Sequence, residues 1–273
     1  MDCRPDSPAH RRDASGSLHI GSLIVFDGDN TLWDTNEVFL NAQLEFIDCL
    51  SENGIQVGHS EGIIKLREID QGLIGLLGRA EYDFVYLWRA LVNHYEHGKM
   101  NISQDELQVP LKGEDIPVQR FLQRLTDMPQ LLPEAKDTVR ALNASLRLQG
   151  HCLIGIFSEG KLSRLRRVFE HHSDLITLMD FVAVGAKTPE NYLAIVNDAG
   201  MQHSSKMMVG DSIRKDIEPA HLAGYTTVFI PSRYVEQNAG VEASVRADFT
   251  LGALQDLPPL FHSLLDVGRH IST

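Results

Sequence analysis

Cysteine is scarce. The 273 residues hold 3, at positions 3, 49 and 152, an odd number with no paired metal-type spacing. That excludes a disulfide-stapled scaffold and a thiolate zinc site, and points to free thiols in a reducing compartment. Cations are outnumbered as well: 25 Lys and Arg against 37 Asp and Glu leave a net charge of −12. Such a surface repels nucleic acid and anionic membranes, so neither is an expected partner. It also sets a condition, because an anionic substrate needs cations gathered locally. Long apolar runs are missing too. No stretch is long enough to span a bilayer. Residues 1–22 lack the apolar segment of a signal peptide. Residues 1–21, rich in Arg, Asp, Ser and Pro, read as a disordered tail. The expected compartment is the cytoplasm.

What is present is an ordinary globular composition, 43% hydrophobic and 23% charged, enough for one large core or two unequal domains. Five short apolar runs recur at 23–26, 152–157, 181–184, 207–209 and 226–230, with a sixth at 248–251 leading into a final helix. Their near-continuous apolar character suits parallel strands buried on both faces. Helical segments are predicted between the later runs, at 161–172, 190–199 and 215–223. Pro189 opens the second, with Gly200 just past its end and Gly224 just past the third. Alternating strand and helix predicts a Rossmann-like, doubly wound α/β fold with a parallel sheet.

The connection after the first run is different. Helical stripes occupy 35–50 (Leu40, Leu44, Ile47) and 84–95 (Phe84, Leu87, Trp88, Leu91, Val92, Tyr95), with further helices at 117–125 and 133–149. In the last, Val139, Leu142 and Leu146 share one face. No strand pattern appears between Trp33 and about Met128, so roughly a hundred residues of helix follow the first strand, far more than a connection needs. The expected organisation is an α/β core at 22–34 and 129–273 with a helical domain at 35–128. That domain is expected over the C-terminal edge of the sheet, where open parallel sheets bind ligands. Within it, Arg67, Arg79, Arg89 and the glycines 72, 75 and 78 are read as surface charges and a flexible joint.

The chemistry gathers at the strand ends. Asp27-Gly28-Asp29-Asn30-Thr31 closes the first run with two carboxylates spaced i, i+2, one face of an extended chain. Buried acids are costly unless they hold a metal or share a reaction. Ser158-Glu159-Gly160 follows the second run, where a helix N-terminus offers N–H groups to an anion. Lys187 follows the third. Gly210-Asp211 and Asp216 follow the fourth. Singly, each has a plain structural explanation: a helix cap, a solvated lysine, a first-turn acid. Together they fall on one edge of one sheet.

These motifs, in this order, resemble those of the haloacid dehalogenase superfamily, the HAD-like hydrolases, over residues 23–265. The long helical insertion looks like that family's type 1 cap domain. The resemblance implies a phosphatase that hydrolyses a small phosphorylated metabolite through an aspartyl-phosphate. Asp27 is then the nucleophile and Asp29 the general acid and base. Ser158, Lys187 and Thr31 bind the phosphoryl group. Mg²⁺ is held by Asp27, Asp211 and the backbone carbonyl of Asp29, with Asp216 behind them. Family members that cleave carbon–halogen bonds lack the second aspartate, so Asp29 favours phosphoryl transfer. A phosphomutase uses the same residues and stays open, as does, more remotely, a non-catalytic binding role on this scaffold. The motifs are silent on oligomeric state. Gly28 stands where the family often has a bulkier residue, and Glu159 where it often has Asn. A carboxylate about 4 Å from a phosphate would cost roughly 4 kcal/mol, so Glu159 is expected to point away.

Overall fold

The computed structural model describes residues 21–78, 82–99, 103–147, 152–201, 205–232 and 245–271. Residues 1–20 of the expected tail and Arg79 lie outside the described residues; Gly21, the last residue assigned to that tail, is instead buried and accepts from the Ser205 amide at 3.1 Å. The chain divides into two compact units: Asp34–Gln130 forms one, and the described residues on either side form the other.

The first unit is helical: α1 (Thr35–Glu52), α2 (His59–Leu77), α3 (Phe84–His97), α4 (Gln104–Leu107) and α5 (Asp115–Arg124). It owns a core of Phe46, Ile47, Leu50, Leu66, Leu87, Trp88, Leu91 and Phe121. Phe46 stacks on Phe121 at 4.4 Å and tilts against Trp88 at 5.4 Å. Helix α2 corrects the expected flexible joint. Gly72 and Gly75 sit exposed inside it, while Ile63, Leu66 and Leu73 supply the buried stripe that outweighs their poor propensity. Only Gly78 is a stop, in the left-handed conformation (φ 65°) at the helix end. Arg89 is a second correction. It is no surface charge: 7% exposed, it donates from Nε to Glu114 at 2.7 Å and from Nη2 at 2.5 Å. It also donates to the Leu107 carbonyl, so one guanidinium ties α3 to the end of α4 and the start of α5.

The second unit carries α6 (Ala135–Arg147), α7 (Leu162–His171), α8 (Ser173–Ile176), α9 (Pro189–Asp198), α10 (Glu218–Leu222) and α11 (Leu257–Ile271). Its strands are β1 (Ser22–Phe26), β2 (Cys152–Ser158), β3 (Phe181–Val184), β4 (Ser205–Gly210), β5 (Thr226–Phe229) and β6 (Phe249–Thr250). They form a six-stranded sheet in the order β3-β2-β1-β4-β5-β6, every pair parallel. This is the Rossmann-like α/β architecture. Strand β1 is buried throughout, each fully buried Leu, Ile, Val or Phe contributing about 1.5–3 kcal/mol. Strand β3 departs from the burial expected on both faces. It lies at the sheet edge, leaving Val182 and Val184 each 38% exposed.

The predicted helix over 215–223 is not continuous. A π-helical turn, Ile213–Ile217, runs into α10, because the amides of both Asp216 and Ile217 reach back to the Ser212 carbonyl (2.8 and 3.2 Å). That wide turn lays the Asp216 side chain over Gly210. A Cβ at Gly210 would lie 2.5 Å from the Asp216 carboxyl group, so only glycine leaves room.

Candidate active site

Register brings the site residues level. Phe26 pairs with Ile156 on one side and Val209 on the other, and the Asp27 amide still donates to the Val209 carbonyl at 2.8 Å. Asp27, Ser158 and Asp211 therefore leave three adjacent strands at the same C-terminal edge. Ser158 pairs with Val184, and the Gly185 amide donates to the Ser158 carbonyl at 3.2 Å, which brings the segment carrying Lys187 alongside. The strand order reverses between β1 and β4, so Asp27 and Asp211 flank the crevice where open α/β sheets bind ligands.

One ligand oxygen from each of Asp27, Asp211 and Asp216 falls within 4.8 Å of the others, and all three residues are buried. Lys187 donates to Asp27 and, at 2.6 Å, to Asp216. Asp216 also accepts from the Ser212 amide at 2.9 Å, and Thr31 Oγ1 donates to Asp27 at 3.3 Å. Three buried carboxylates thus lie together with one ammonium, which pairs with two of them. Burial is the main cause that raises the Asp27 carboxyl well above its ordinary range. Lys187 opposes the rise, and Asp216, Asp211 and Asp29 add to it. Burial likewise pushes Asp211 from 3.8 to about 7, helped by Asp216. Lys187 moves the other way from what its own burial favours, held as a cation by Asp27 and Asp216. The excess of negative charge is the dominant feature, and a hard divalent cation with oxygen ligands is the group that relieves it. The donor set fits such an ion.

Ser158 is fully buried, and its Oγ finds no hydrogen-bond partner among the described residues. An orphaned buried hydroxyl costs about 1–3 kcal/mol, a cost that a bound anion's oxygen would offset. Glu159 is held by Lys215 at 3.0 Å, at 37% side-chain exposure. Asp29 behaves differently from the other acids. Its carboxylate is not in the converging group. It accepts from Trp33 Nε1 at 2.9 Å and from Arg164 Nη2 at 3.0 Å.

Sequence reasoning missed both of those partners. Arg164 sits among Lys161, Arg166 and Arg167 at the start of α7, where a cation reads as a solvated face. Trp33 reads as one more core aromatic. The available signal was a glycine between two aspartates with a tryptophan five residues on. Among the described residues, burial raises the Cys49 thiol and pushes Cys152 to about 12, which favours the protonated, unreactive form of both.

A family model described as haloacid dehalogenase-like hydrolase matches residues 22–224. The chain belongs to the haloacid dehalogenase-like hydrolase family. No curated protein matches it. Among solved structures it is similar to a haloacid dehalogenase-like family hydrolase from Xanthomonas campestris, with TM-score 0.61 and 19% identity over 92% of this chain and 99% of that one. It is also similar to the HAD-hydrolase YfnB of Bacillus subtilis in a magnesium-bound form, with TM-score 0.59 and 18% identity, covering 88% and 98%. A HAD phosphatase from Thermococcus onnurineus follows at TM-score 0.50 and 19% identity, covering 88% and 97%. At these identities the likeness is one of fold. Among the described residues, no helix is long and apolar enough to cross a membrane.

Proposed function

We propose that this hydrolase is a Mg²⁺-dependent phosphatase that cleaves a small phosphate monoester through an aspartyl-phosphate, with residues 35–128 as its cap domain. The observation that carries the reading is the imbalance at the end of β1, where the carboxylates of Asp27, Asp211 and Asp216 converge and Lys187 pairs with only the first and the last. Such a site accepts a divalent cation and, once it is bound, an anion. Asp27, Asp211 and the Asp29 backbone carbonyl would hold the ion, which when bound neutralises charge on the phosphoryl oxygens.

The remaining work belongs to the chain. An Asp27 carboxylate oxygen attacks phosphorus, forming the Asp27–phosphorus bond as the bond to the leaving oxygen breaks. Asp29 gives its proton to that leaving oxygen, then takes one from the water that attacks the intermediate and restores Asp27. Lys187 and the Ser158 hydroxyl hold phosphoryl oxygens, and Thr31 orients Asp27 through its hydrogen bond. Asp216 fixes Lys187 from behind. The Lys215 pairing of Glu159 supports a site without a carboxylate facing the phosphate.

The test is inorganic phosphate release from a panel of small esters, with Mg²⁺ and with chelator. Release is expected to require Mg²⁺ and to vanish in Asp27→Asn. Ample release by that variant sinks the covalent route. An isomerised phosphate ester without free phosphate identifies a mutase instead.

A further inference from the structure

We propose that Trp33 and Arg164 are positioning residues that together aim the Asp29 carboxylate at the ester's leaving oxygen, with Gly28 the residue that makes room for the indole; the inference rests on the phosphatase reading above. The geometry begins with a tight loop. The amides of Leu32 and Trp33 donate to the Gly28 carbonyl at 2.9 and 3.2 Å, and the Asn30 amide donates to the Trp33 carbonyl at 2.6 Å. Asn30 takes the left-handed conformation (φ 63°), which asparagine tolerates better than most residues. The loop folds the indole back on its own start. A Cβ at position 28 would lie 2.3 Å from Trp33 Cζ2 and 2.5 Å from Cη2. The ring therefore occupies the volume that any other residue's side chain would need.

The indole has little freedom there. Trp33 is fully buried, stacked on His172 (centroids 6.0 Å or more apart throughout its aromatic contacts: 6.3 Å, 19°) and met edge-on by Phe169 at 6.0 Å. A fixed ring means a fixed N–H direction, and that N–H points at Asp29 Oδ1. Arg164 completes the hold from α7, with Nη2 on Oδ1 at 3.0 Å and Nη1 near Oδ2 at 3.4 Å. The two shorter contacts, from Trp33 and Arg164, both anchor Oδ1, while Oδ2 is met by Arg164 only at the longer 3.4 Å and is the oxygen assigned to carry the proton to the leaving group.

Asp29 has to meet two partners in sequence, the leaving oxygen and then the attacking water, each at about 2.6–3.2 Å. A short side chain on a loop would otherwise sample several rotamers, and a misplacement of about 1 Å can cost on the order of a hundredfold in rate. The clamp removes those rotamers before substrate arrives. Gly28, anomalous between two aspartates in the sequence, is explained by the same arrangement.

The test exploits the leaving group. Trp33→Phe keeps a ring on Gly28 and removes the N–H; Arg164→Met keeps the stem and removes the fork. For an alkyl phosphate, whose alkoxide must be protonated, kcat is expected to fall roughly tenfold to a hundredfold in each variant, with KM little changed. For 4-nitrophenyl phosphate, whose phenolate leaves without a proton, the single-turnover rate of phenolate release should fall by less than about threefold, while steady turnover, which still needs Asp29 as base for the attacking water, falls with that of the alkyl ester. Arg164→Lys should recover part of the alkyl-ester rate. Equal losses in the alkyl-ester kcat and in single-turnover phenolate release, or no loss in either, overturn the proposal.

A second readout needs no turnover. The Trp33 indole N–H resonance, assigned against Trp88 by its loss in Trp33→Phe, should shift in folded Asp29→Ala. An unmoved resonance overturns the clamp. Wild type that releases phosphate from neither ester rejects the phosphatase reading, and the resonance then still decides the clamp.

Discussion

Replacing Asp211 with Asn should make the metal-free protein more stable while destroying its response to Mg²⁺. Asp211 is 5% exposed and shares its surroundings with Asp216 and Asp27. Its carboxyl is pushed from 3.8 to about 7, chiefly by burial and next by Asp216. The sign follows from proton uptake: between about pH 4 and 7 the folded chain binds a proton that the unfolded chain does not, so folding becomes less favourable as pH rises through that window. Above it, a shift of about 3 units corresponds to at most about 4 kcal/mol against the fold, and solvent relaxation brings the expected figure to about 2–4 kcal/mol. An amide of nearly the same shape removes that charge. For a chain of this size the melting temperature should rise by about 4–8 °C without metal at pH 8, and by little at pH 4. Mg²⁺ at a hundred times its dissociation constant should return about 2.7 kcal/mol to wild type and almost nothing to the variant. Thermal melts at pH 4 and pH 8, with Mg²⁺ and with chelator, supply the comparison. If Asp211→Asn melts lower than wild type without metal, or if Mg²⁺ raises both equally, the charge-imbalance reasoning is wrong.

Lys187→Met removes the cation bonded to both Asp27 and Asp216. Phosphate release should be lost, and the metal-free melt at pH 8 should fall by the equivalent of about 3–5 kcal/mol, the cost of breaking a buried pair. Gly28→Ala places a methyl 2.3 Å from the Trp33 ring, so about 1–3 kcal/mol of stability should be lost along with the alkyl-ester rate. In the helical unit, Arg89→Met leaves Glu114 without its guanidinium partner. Urea unfolding should show a loss of about 3–5 kcal/mol, whereas exchanging both partners for apolar residues of similar volume should cost much less.

The contrast between Asp211 and Arg164 shows what a sequence discloses of such a site. Asp27 and Ser158 directly follow an apolar run and Asp211 follows one after a single glycine, and parallel register does the rest: when Phe26 pairs with both Ile156 and Val209, residues just beyond those pairs share an edge whatever the helices between them do. Strand periodicity therefore carried both the sheet and the gathering of its acids, and the family model covers the first four strands and those acids. Arg164 obeys no such rule. It reaches Asp29 across 135 positions from the first turns of a helix, and its pairing depends on a ring packed on Gly28 rather than on any local pattern. Helix α2 escaped for a related reason, since its glycines face outward and the stripe that holds it, Ile63, Leu66 and Leu73, works only against a core that other helices complete. The π-helical turn after Asp211 is the intermediate case: Gly210 was visible, yet its purpose, admitting the Asp216 carboxylate over bare backbone, exists only once the Ser212 carbonyl has drawn in two successive amides. Residues placed by period and register were legible, and residues placed by a neighbour's shape were not. Trp33, Gly28 and Arg164 belong wholly to the second kind, because each is set by the ring that packs on bare backbone beside Asp29.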